Sequence, residues 1–242
     1  MPRIAMISGP RNISTTMMRS FGSRGDTRVV DEPFYGCYLA ATGAPHPMRE
    51  EILAAMKTDW SSICDDLAAK AEKATTQIQF EKHIAFHFVD KAPLNWVADT
   101  RVFQLIRDPA AMVASYKNKY DDIEPIVHSL NIQRRIYDDC IAAGRPCPIL
   151  DANDVLDDPE GMLRALCQVL GIPFDLAMLA WEAGTRPEDG VWGPHWYDAV
   201  IASTGFRAAR SRTEPLPQDL AKVAERCLPG YEFFHSKRLR SR

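Results

Sequence analysis

The sequence lacks the cysteine spacings of a metal-binding or redox protein. It has 242 residues and six cysteines, and no two of the cysteines form a C-x-x-C pair. None of them stands at zinc-ligand spacing from a histidine. These absences argue against structural zinc and against disulfides, and we expect no metal site.

Long apolar runs and a strong excess of charge are also missing. No stretch approaches the ~20 apolar residues that span a bilayer, and residues 1–3 lead directly into a strand-like run without the apolar core of a signal peptide. The net charge of −3 gives no electrostatic footprint for nucleic acid. We therefore expect a cytoplasmic protein that binds neither membranes nor nucleic acid and acts on a small molecule.

Apolar runs of strand length alternate with segments of helical periodicity, and repeats, linkers and low-complexity tracts are absent. This pattern predicts one α/β domain over residues 1–242, in which residues 184–242 form a C-terminal extension that closes the site. The predicted architecture is a three-layer sandwich with a central, mainly parallel sheet of about five strands. In such a sheet ligands bind at the carboxyl ends of the strands.

The first such end carries a loop typical of anion binding. An apolar strand reaches Ser8, a turn follows at Gly9-Pro10, and a helix begins near Ser14. Backbone N–H groups and the helix dipole favour an anion at this position. The layout is P-loop-like and predicts a site for a phosphate or sulfate ester, with side-chain donors from Arg11, Ser14, Thr15 and Thr16.

The loop departs from the ATP-binding form G-x-x-x-x-G-K-[ST]. With Gly9 in the first place, Ser14 replaces the second glycine and Thr15 replaces the lysine, so that only Thr16 fits. The lysine that would contact the β- and γ-phosphates of ATP is missing. An alternative that stays open is that Ser14 only caps an ordinary helix.

Candidate acid–base residues follow the next two strands. Glu32 begins a loop after a strand at residues 27–31, where a carboxylate can accept a proton, although a solvated turn residue fits equally. A strand at residues 76–82 ends in Lys82-His83, with His87 shortly after. Two histidines and a lysine suit a hydroxyl that loses a proton beside developing negative charge. Each histidine alone also fits a structural role.

A second anion site is predicted after a strand at residues 102–106. Arg107 stands at the strand exit, and Ser115 follows eight residues later. In a helix at 3.6 residues per turn these two side chains lie within about 80° of each other. They can clasp a phosphate, the arginine through a charge-assisted fork. The alternative is an ordinary turn in which Arg107 pairs with Asp108.

Three separated segments resemble the motifs of sulfotransferases that use 3′-phosphoadenosine 5′-phosphosulfate. They are G-P-R-N-I-S-T-T at residues 9–16, L-I-R-D-P-x5-S-x-K at residues 105–117, and a strand, acidic turn and helix at residues 149–173 that end in L-G-I-P. The similarity covers residues 3–180. Together with D-E-P-F at residues 31–34, it is closest to a bacterial subgroup of that family.

The resemblance implies transfer of a sulfuryl group to a hydroxyl of a small-molecule acceptor, with adenosine 3′,5′-bisphosphate as product and no metal. Lys82 and Arg11 would stabilise charge on the leaving phosphate. A late basic loop would close the cofactor site. The implied cofactor-binding residues are Arg11, Asn12, Ser14, Thr15 and Thr16 for the 5′-phosphosulfate, Arg107 and Ser115 for the 3′-phosphate, and Ser203, Gly205 and Arg207 for the late loop.

The general base stays open. Eukaryotic cytosolic members carry a catalytic histidine in K-T-H, but the register here gives Lys82-His83-Ile84, so neither histidine falls on that place. We rank His87 first, Glu32 second and His83 third. The alternatives to a sulfotransferase are a Mg-ATP-dependent small-molecule kinase with a degenerate P-loop and a non-catalytic nucleotide-binding protein.

Overall fold

The computed structural model describes residues 2–73, 77–89, 92–117, 122–208 and 215–241. Five strands form one sheet: β1 (Arg3–Ser8), β2 (Thr27–Asp31), β3 (Ile78–Ile84), β4 (Arg101–Ile106) and β5 (Ile149–Asp151). The strand order is β2-β3-β1-β4-β5, and every neighbouring pair is parallel. The predicted α/β fold with a parallel central sheet is confirmed.

Eleven α-helices are found in the described part of the chain, some of them a single turn long. They are α1 (Ser14–Gly22), α2 (Tyr35–Thr42), α3 (Arg49–Ala55), α4 (Trp60–Lys73), α5 (Pro109–Lys117), α6 (Glu124–Ala142), α7 (Ala152–Asp157), α8 (Pro159–Leu170), α9 (Gly193–Trp196), α10 (Asp198–Ile201) and α11 (Gln218–His235). Across these residues no helix has both the length and the apolar character needed to cross a membrane.

Helices cover both faces of the sheet. Ile4 and Met6 of β1 pack in one core with residues of α1 and α8, whereas Ala5 and Ile7 pack in a second core with residues of α4 and α6. Alternate residues of a strand point to opposite faces, so a strand buried on both faces is expected to be largely apolar. This explains the apolar runs of β1 and β4, whereas β3 is buried throughout and carries the paired charges of Glu81 and Lys82.

Register brings the functional loops to one edge of the sheet. Ser8, the last residue of β1, lies opposite Ile84 of β3 and Leu105 of β4. Asp31, the last residue of β2, lies opposite Lys82. The loops that follow these strands therefore meet at their carboxyl ends.

Helix α8 follows directly from local sequence. The Asp158 side chain accepts a hydrogen bond from the Gly161 amide, and Pro159 occupies the first helical turn, where its missing N–H does no harm. Gly171 ends the helix with φ of 64°, a left-handed conformation that glycine adopts without strain. These residues belong to the acidic turn and the L-G ending identified in the sequence.

Other boundaries differ from the prediction because tertiary packing sets them. The glycine and prolines of residues 38–47 predict an irregular segment, yet Tyr35–Thr42 is helical. Packing holds this helix close to the residues just after α3: a Cβ at Gly36 would stand 2.8 Å from the Lys57 carbonyl oxygen. The helix expected over residues 48–73 is broken at Met56, which is extended. The final helix, expected at residues 217–227, continues past Pro229 to the fully buried Phe234.

Candidate active site

The loop between β1 and α1 is held in a conformation suited to anions. Arg11 and Ile13 have φ of 60° and 58°, in the left-handed region. A left-handed residue followed by the helical Ser14 turns successive N–H groups toward one point, which forms an anion-binding nest. Asn12, 2% exposed, donates through Nδ2 to the Leu105 carbonyl oxygen at 3.1 Å. Asn12 therefore ties the loop to β4 instead of facing the cleft.

Two arginines lie beside this loop. Arg11 Nε donates to Ser115 Oγ at 3.1 Å, and Arg107 Nη1 donates to the Arg11 carbonyl oxygen at 2.6 Å. In the described structure neither guanidinium has a carboxylate oxygen within 4.0 Å. Burial lowers the pKa of both arginines, and the charge of Arg11 lowers the pKa of Arg107 further. The charges of Asp198 on Arg11 and of Asp108 and Asp151 on Arg107 oppose this lowering. Partly buried cations without a carboxylate in direct contact favour an anionic ligand.

A buried cluster of charged groups lies across the cleft from the arginines. Lys82 Nζ donates to Asp31 Oδ1 at 2.8 Å, to the Tyr197 hydroxyl at 2.7 Å, and to Glu32 Oε1. An ammonium group has three donors, and all three are used here. Burial lowers the pKa of Lys82, but the two carboxylates more than offset this effect, so the pKa is raised and the lysine is charged.

Glu32 presents one carboxylate oxygen to the cleft. Its Oε1 accepts from Lys82 and lies 3.2 Å from the Tyr197 hydroxyl, whereas Oε2 lies 3.9 Å from His87 Nδ1. No hydrogen bond to Oε2 occurs within the described residues. Burial raises the pKa of Glu32, the charge of Lys82 opposes the rise, and Asp31 adds to it. The backbone φ of 41° is strained for a non-glycine residue.

His87 also faces the cleft but is a weak base. Its ring stacks on Tyr35 with centroids 4.4 Å apart and on Tyr38 with centroids 5.2 Å apart. Burial lowers the pKa of His87 well below the ordinary value, and the nearby Lys82 charge lowers it as well. The imidazole is therefore neutral at pH 7.

His83 lies on the other face of the sheet. Its Nε2 is 3.3 Å from Glu81 Oε2, and its ring contacts Phe34 and Trp96. Because adjacent residues of a strand point to opposite faces, His83 and Lys82 cannot both reach the cleft. The structure therefore places His83 away from the site that the sequence assigned to it.

The anion-binding loop, the two arginines, Lys82, Glu32 and His87 line one cleft with a volume of about 230 Å³. The structure brings nine of the fourteen sequence-predicted residues to its wall: Arg11, Ser14, Thr15, Thr16, Glu32, Lys82, His87, Arg107 and Ser115. Asn12 and His83 are buried outside it.

The described part of the late loop, residues 203–207, does not line the cleft. Ser203 Oγ donates to the Val200 carbonyl oxygen and accepts from Trp181 Nε1, and Gly205 pairs with Ala180 in an isolated bridge. These contacts hold Ser203 and Gly205 against the 180–181 segment. Arg207, which is exposed, donates to the Ala202 carbonyl oxygen. The preceding helices α9 and α10 form the wall instead, through Trp196, Ala199 and Val200.

Sequence reasoning missed much of the aromatic wall. The Tyr35 hydroxyl hydrogen-bonds to His46 Nδ1, and the His46 ring stacks on Trp196 with centroids 5.4 Å apart. Burial lowers the pKa of His46 to about 4, and nearby His195 contributes. For Trp192, Trp196 and Tyr197 the sequence suggests stacking on adenine or lining of an acceptor pocket, with ordinary packing as the alternative; Trp196 and Tyr197 line the cleft. No spacing in the sequence signals that Tyr35 and His46 meet them.

Comparisons with known proteins identify the family and the fold. A family model described as a sulfotransferase domain matches residues 2–238. Two curated Arabidopsis thaliana proteins, the branched-chain-amino-acid aminotransferase-like proteins 2 and 1, are each 36% identical, over 226 and 231 residues. The matches cover 93% and 95% of this chain but only 40% and 41% of those proteins. The chain thus spans about two fifths of the length of these relatives.

Solved structures share the fold at low identity. The sulfotransferase domain of the Synechococcus PCC 7002 olefin synthase is similar with a TM-score of 0.51 and 20% identity, over 93% of this chain and 94% of that one. The sulfotransferase domain of the curacin biosynthetic pathway gives 0.55 and 12%, over 94% and 98%. A sulfotransferase from Alicyclobacillus acidocaldarius gives 0.57 and 11%, over 97% and 96%.

Proposed function

Because this chain belongs to the sulfotransferase domain family, we propose that it transfers a sulfuryl group from 3′-phosphoadenosine 5′-phosphosulfate to a hydroxyl of a small-molecule acceptor. The observation that carries the proposal is the pair of partly buried guanidinium groups, Arg11 and Arg107, beside the loop that leads into α1. Neither has a carboxylate oxygen within 4.0 Å in the described structure. A nucleotide with two separate anionic groups, a phosphosulfate and a phosphate, supplies the opposite charge.

The residues present fit this donor. The nest at Ile13 and Ser14, the hydroxyls of Thr15 and Thr16, and Arg11 suit the 5′-phosphosulfate. Arg107 and Ser115 suit the 3′-phosphate, and Arg107 Nε is a buried donor without a partner among the described residues. When bound, the donor supplies an activated sulfuryl group on a phosphate leaving oxygen. Arg11 is placed to stabilise the charge that develops on that oxygen.

Glu32 is the base that the geometry favours. Oxygen Oε2 faces the cleft without a hydrogen bond within the described residues, and burial brings the pKa of Glu32 upward from its usual acidic range. A base is most effective when its pKa lies close to the working pH. The pKa of His87 is shifted away from that range. We therefore place Glu32 ahead of His87, which reverses the order predicted from sequence.

Lys82 takes a different role from the one the resemblance implied. Its three donors are used by Asp31, Glu32 and Tyr197, so none remains for a leaving phosphate oxygen. Lys82 instead fixes the Glu32 carboxylate beside the acceptor position. Charge stabilisation on the leaving group then falls to Arg11.

The acceptor side of the cleft favours a compact, partly apolar hydroxyl compound. Its wall includes the side chains of Tyr35, Phe86, His87 and Trp196. Burial keeps His87 neutral. Aromatic walls of this kind bind flat apolar surfaces by contact and stacking. The acceptor hydroxyl would lie within reach of Glu32 Oε2 and attack sulfur in line.

The test is transfer of radioactive sulfate from labelled 3′-phosphoadenosine 5′-phosphosulfate to a panel of phenols and alcohols, in buffer containing a chelator. We expect labelled sulfate esters to form without divalent metal, and Glu32→Gln to slow their formation by at least about a hundredfold. Phosphoryl transfer from ATP that requires Mg²⁺ would replace this account with a kinase. Nucleotide binding without transfer to any acceptor would indicate a non-catalytic nucleotide-binding protein.

A further inference from the structure

The Tyr197 hydroxyl lies at the centre of the buried cluster behind the proposed base. It is 2.7 Å from Lys82 Nζ, 2.8 Å from Trp192 Nε1, 2.7 Å from Asp31 Oδ2 and 3.2 Å from Glu32 Oε1. The residue is 4% exposed. No sequence motif assigned it a role.

The proton count of this hydroxyl limits what it can do. A phenol has one proton to donate and two lone pairs that accept. Lys82 and Trp192 fill both lone pairs, because neither side chain can accept. The single proton must serve either Asp31 or Glu32, and the shorter distance favours Asp31. Oxygen Oε1 of Glu32 then relies on Lys82, whose position Tyr197 also fixes.

The segment that carries Tyr197 is held firmly in place. Tyr197 connects α9 to α10, and the preceding turn is anchored by a bidentate ion pair between Arg19 and Asp189 at 2.6 and 2.7 Å. The neighbouring residue, Trp196, accepts a long contact of 3.5 Å from Arg11 through its carbonyl oxygen. Two consecutive residues thus contact the donor loop and the base cluster.

We infer that Tyr197 is a positioning residue, which holds Lys82 and the Asp31–Glu32 pair so that Glu32 Oε2 faces the acceptor. The inference rests on the proposed function for the role of Glu32, but the geometry of the cluster is independent of it. A residue that merely fills space would leave the ionisation of Glu32 unchanged. A positioning residue would not.

The experiment is a carbon-13 NMR titration of protein labelled at the glutamate carboxyl carbon, with the Glu32 signal assigned by its loss in Glu32→Gln. In Tyr197→Phe we expect the Glu32 midpoint to rise by about one pH unit, because Lys82, which stabilises the charged Glu32 carboxylate, loses the hydroxyl that fixes its position. The matched control is Tyr231→Phe on α11, which removes a hydroxyl that donates to Asp151 of β5 at 2.9 Å. This control should leave the Glu32 midpoint unchanged.

An unchanged midpoint in folded Tyr197→Phe overturns the inference. If that variant does not fold, Trp192→Phe decides, since it removes one donor to Tyr197 and leaves both carboxylates in place. It should move the midpoint in the same direction by a smaller amount, and no movement would overturn the inference. Calorimetry with adenosine 3′,5′-bisphosphate is run in parallel. Failure of the wild type to bind this nucleotide counts against the proposed function, while the NMR result still decides the role of Tyr197.

Discussion

At the residue scale, the strongest determinant of the site is a charge without a partner. Arg11 and Arg107 are partly buried beside each other, and in the described residues no carboxylate lies within 4.0 Å of either, although the charge of Asp198 acts on Arg11. Partly desolvated like charges are unfavourable, and this is the basis on which we propose that they serve an anionic ligand. Both arginines belong to motifs that the sequence alone had singled out.

Replacing Arg107 with alanine should weaken binding of adenosine 3′,5′-bisphosphate by about 30- to 150-fold, because charge-assisted hydrogen bonds contribute roughly 2–3 kcal/mol. Arg107→Lys should be intermediate, since an ammonium cannot form the planar fork. Isothermal titration calorimetry gives the affinities. The control is Arg164→Ala, which removes an exposed pair with Glu160 and a contact with the Phe174 ring, neither of which lines the cleft. Equal affinity of wild type and Arg107→Ala would contradict the assignment.

The choice of base gives a second prediction at this scale. Glu32→Gln should lower kcat by about 10²- to 10⁴-fold with little change in nucleotide affinity, because it removes the proton acceptor alone. His87→Asn should lower kcat by less than about tenfold, as a weak base contributes mainly packing. Steady-state kinetics with an acceptor from the transfer panel compares the two. A larger loss in His87→Asn would return the histidine to first place.

Residue type and position along a strand explain how far sequence reasoning reached. Glu32, Lys82, Arg107 and Ser115 were found because strand ends and helix starts have local signals. His83 was misplaced because the predicted strand ended at Lys82, whereas β3 continues to Ile84 and His83 points to the other face. The place of Tyr197 in the base cluster was not predicted, because Lys82, Asp31 and Glu32 are more than a hundred residues away from it in sequence.

At the element scale, the α9–α10 segment decides whether the cleft has its second wall. It carries Trp196 and Tyr197, and its anchor is the Arg19–Asp189 pair, whose side chains are 2% and 7% exposed. Residues 184–198 are rich in glycine, proline and tryptophan, and this composition predicts only an irregular segment. Two single-turn helices are too short to leave a periodic signal, so their position depends on this ion pair and on packing.

Removing that anchor should be costly. Asp189→Ala leaves Arg19 buried without its partner, and we expect the free energy of unfolding to fall by about 3–5 kcal/mol. Urea unfolding monitored by circular dichroism measures the change. The matched control is Asp138→Ala, which breaks an exposed pair with Arg134 and should lie within about 1 kcal/mol of wild type. If the two variants lose the same small amount, the ion pair does not anchor the segment.

At the scale of the whole molecule, buried titratable groups predict acid sensitivity. Burial lowers the pKa of His46, His83 and His87 in the fold. A lowered folded pKa gives stability that is present above the unfolded pKa and lost as the pH falls. Below about pH 6.5 unfolding therefore takes up as many as three protons, and stability falls by up to about 4 kcal/mol per pH unit. The raised pKa of Glu32 offsets part of this loss.

Urea unfolding at pH 7.0, 6.0 and 5.5 measures this slope. His46→Asn should reduce it by about one proton, because that side chain no longer titrates on unfolding. At lower pH Glu81 adds to the loss of stability. Its burial would raise its pKa, but His83 and Arg3 hold it at about 2, so its contribution is lost as the pH falls below about 4.5. A stability that stays level from pH 7.0 to 5.5 would contradict the buried, neutral state of the histidines.

The whole fold was more predictable than the whole site. Four apolar runs, their turns and three motifs were enough for a parallel sheet with a P-loop-like start, because strand periodicity and turn chemistry are local properties. The cleft is assembled from the carboxyl ends of β1 to β4 and from α9 and α10. The cofactor side of it comes from two segments, residues 11–16 and 107–115, that each have a local signal in the sequence, whereas the acceptor wall depends on long-range packing.

The most direct test of the central claim is calorimetric titration of the wild-type protein with adenosine 3′,5′-bisphosphate in the absence of metal, beside ATP with Mg²⁺. The account predicts tight binding of the bisphosphate without metal and weak binding of ATP. The reason is that Arg11 and Arg107 serve two separate anionic groups and the loop has no P-loop lysine for the β- and γ-phosphates. Tight binding of Mg-ATP together with weak binding of the bisphosphate would contradict it.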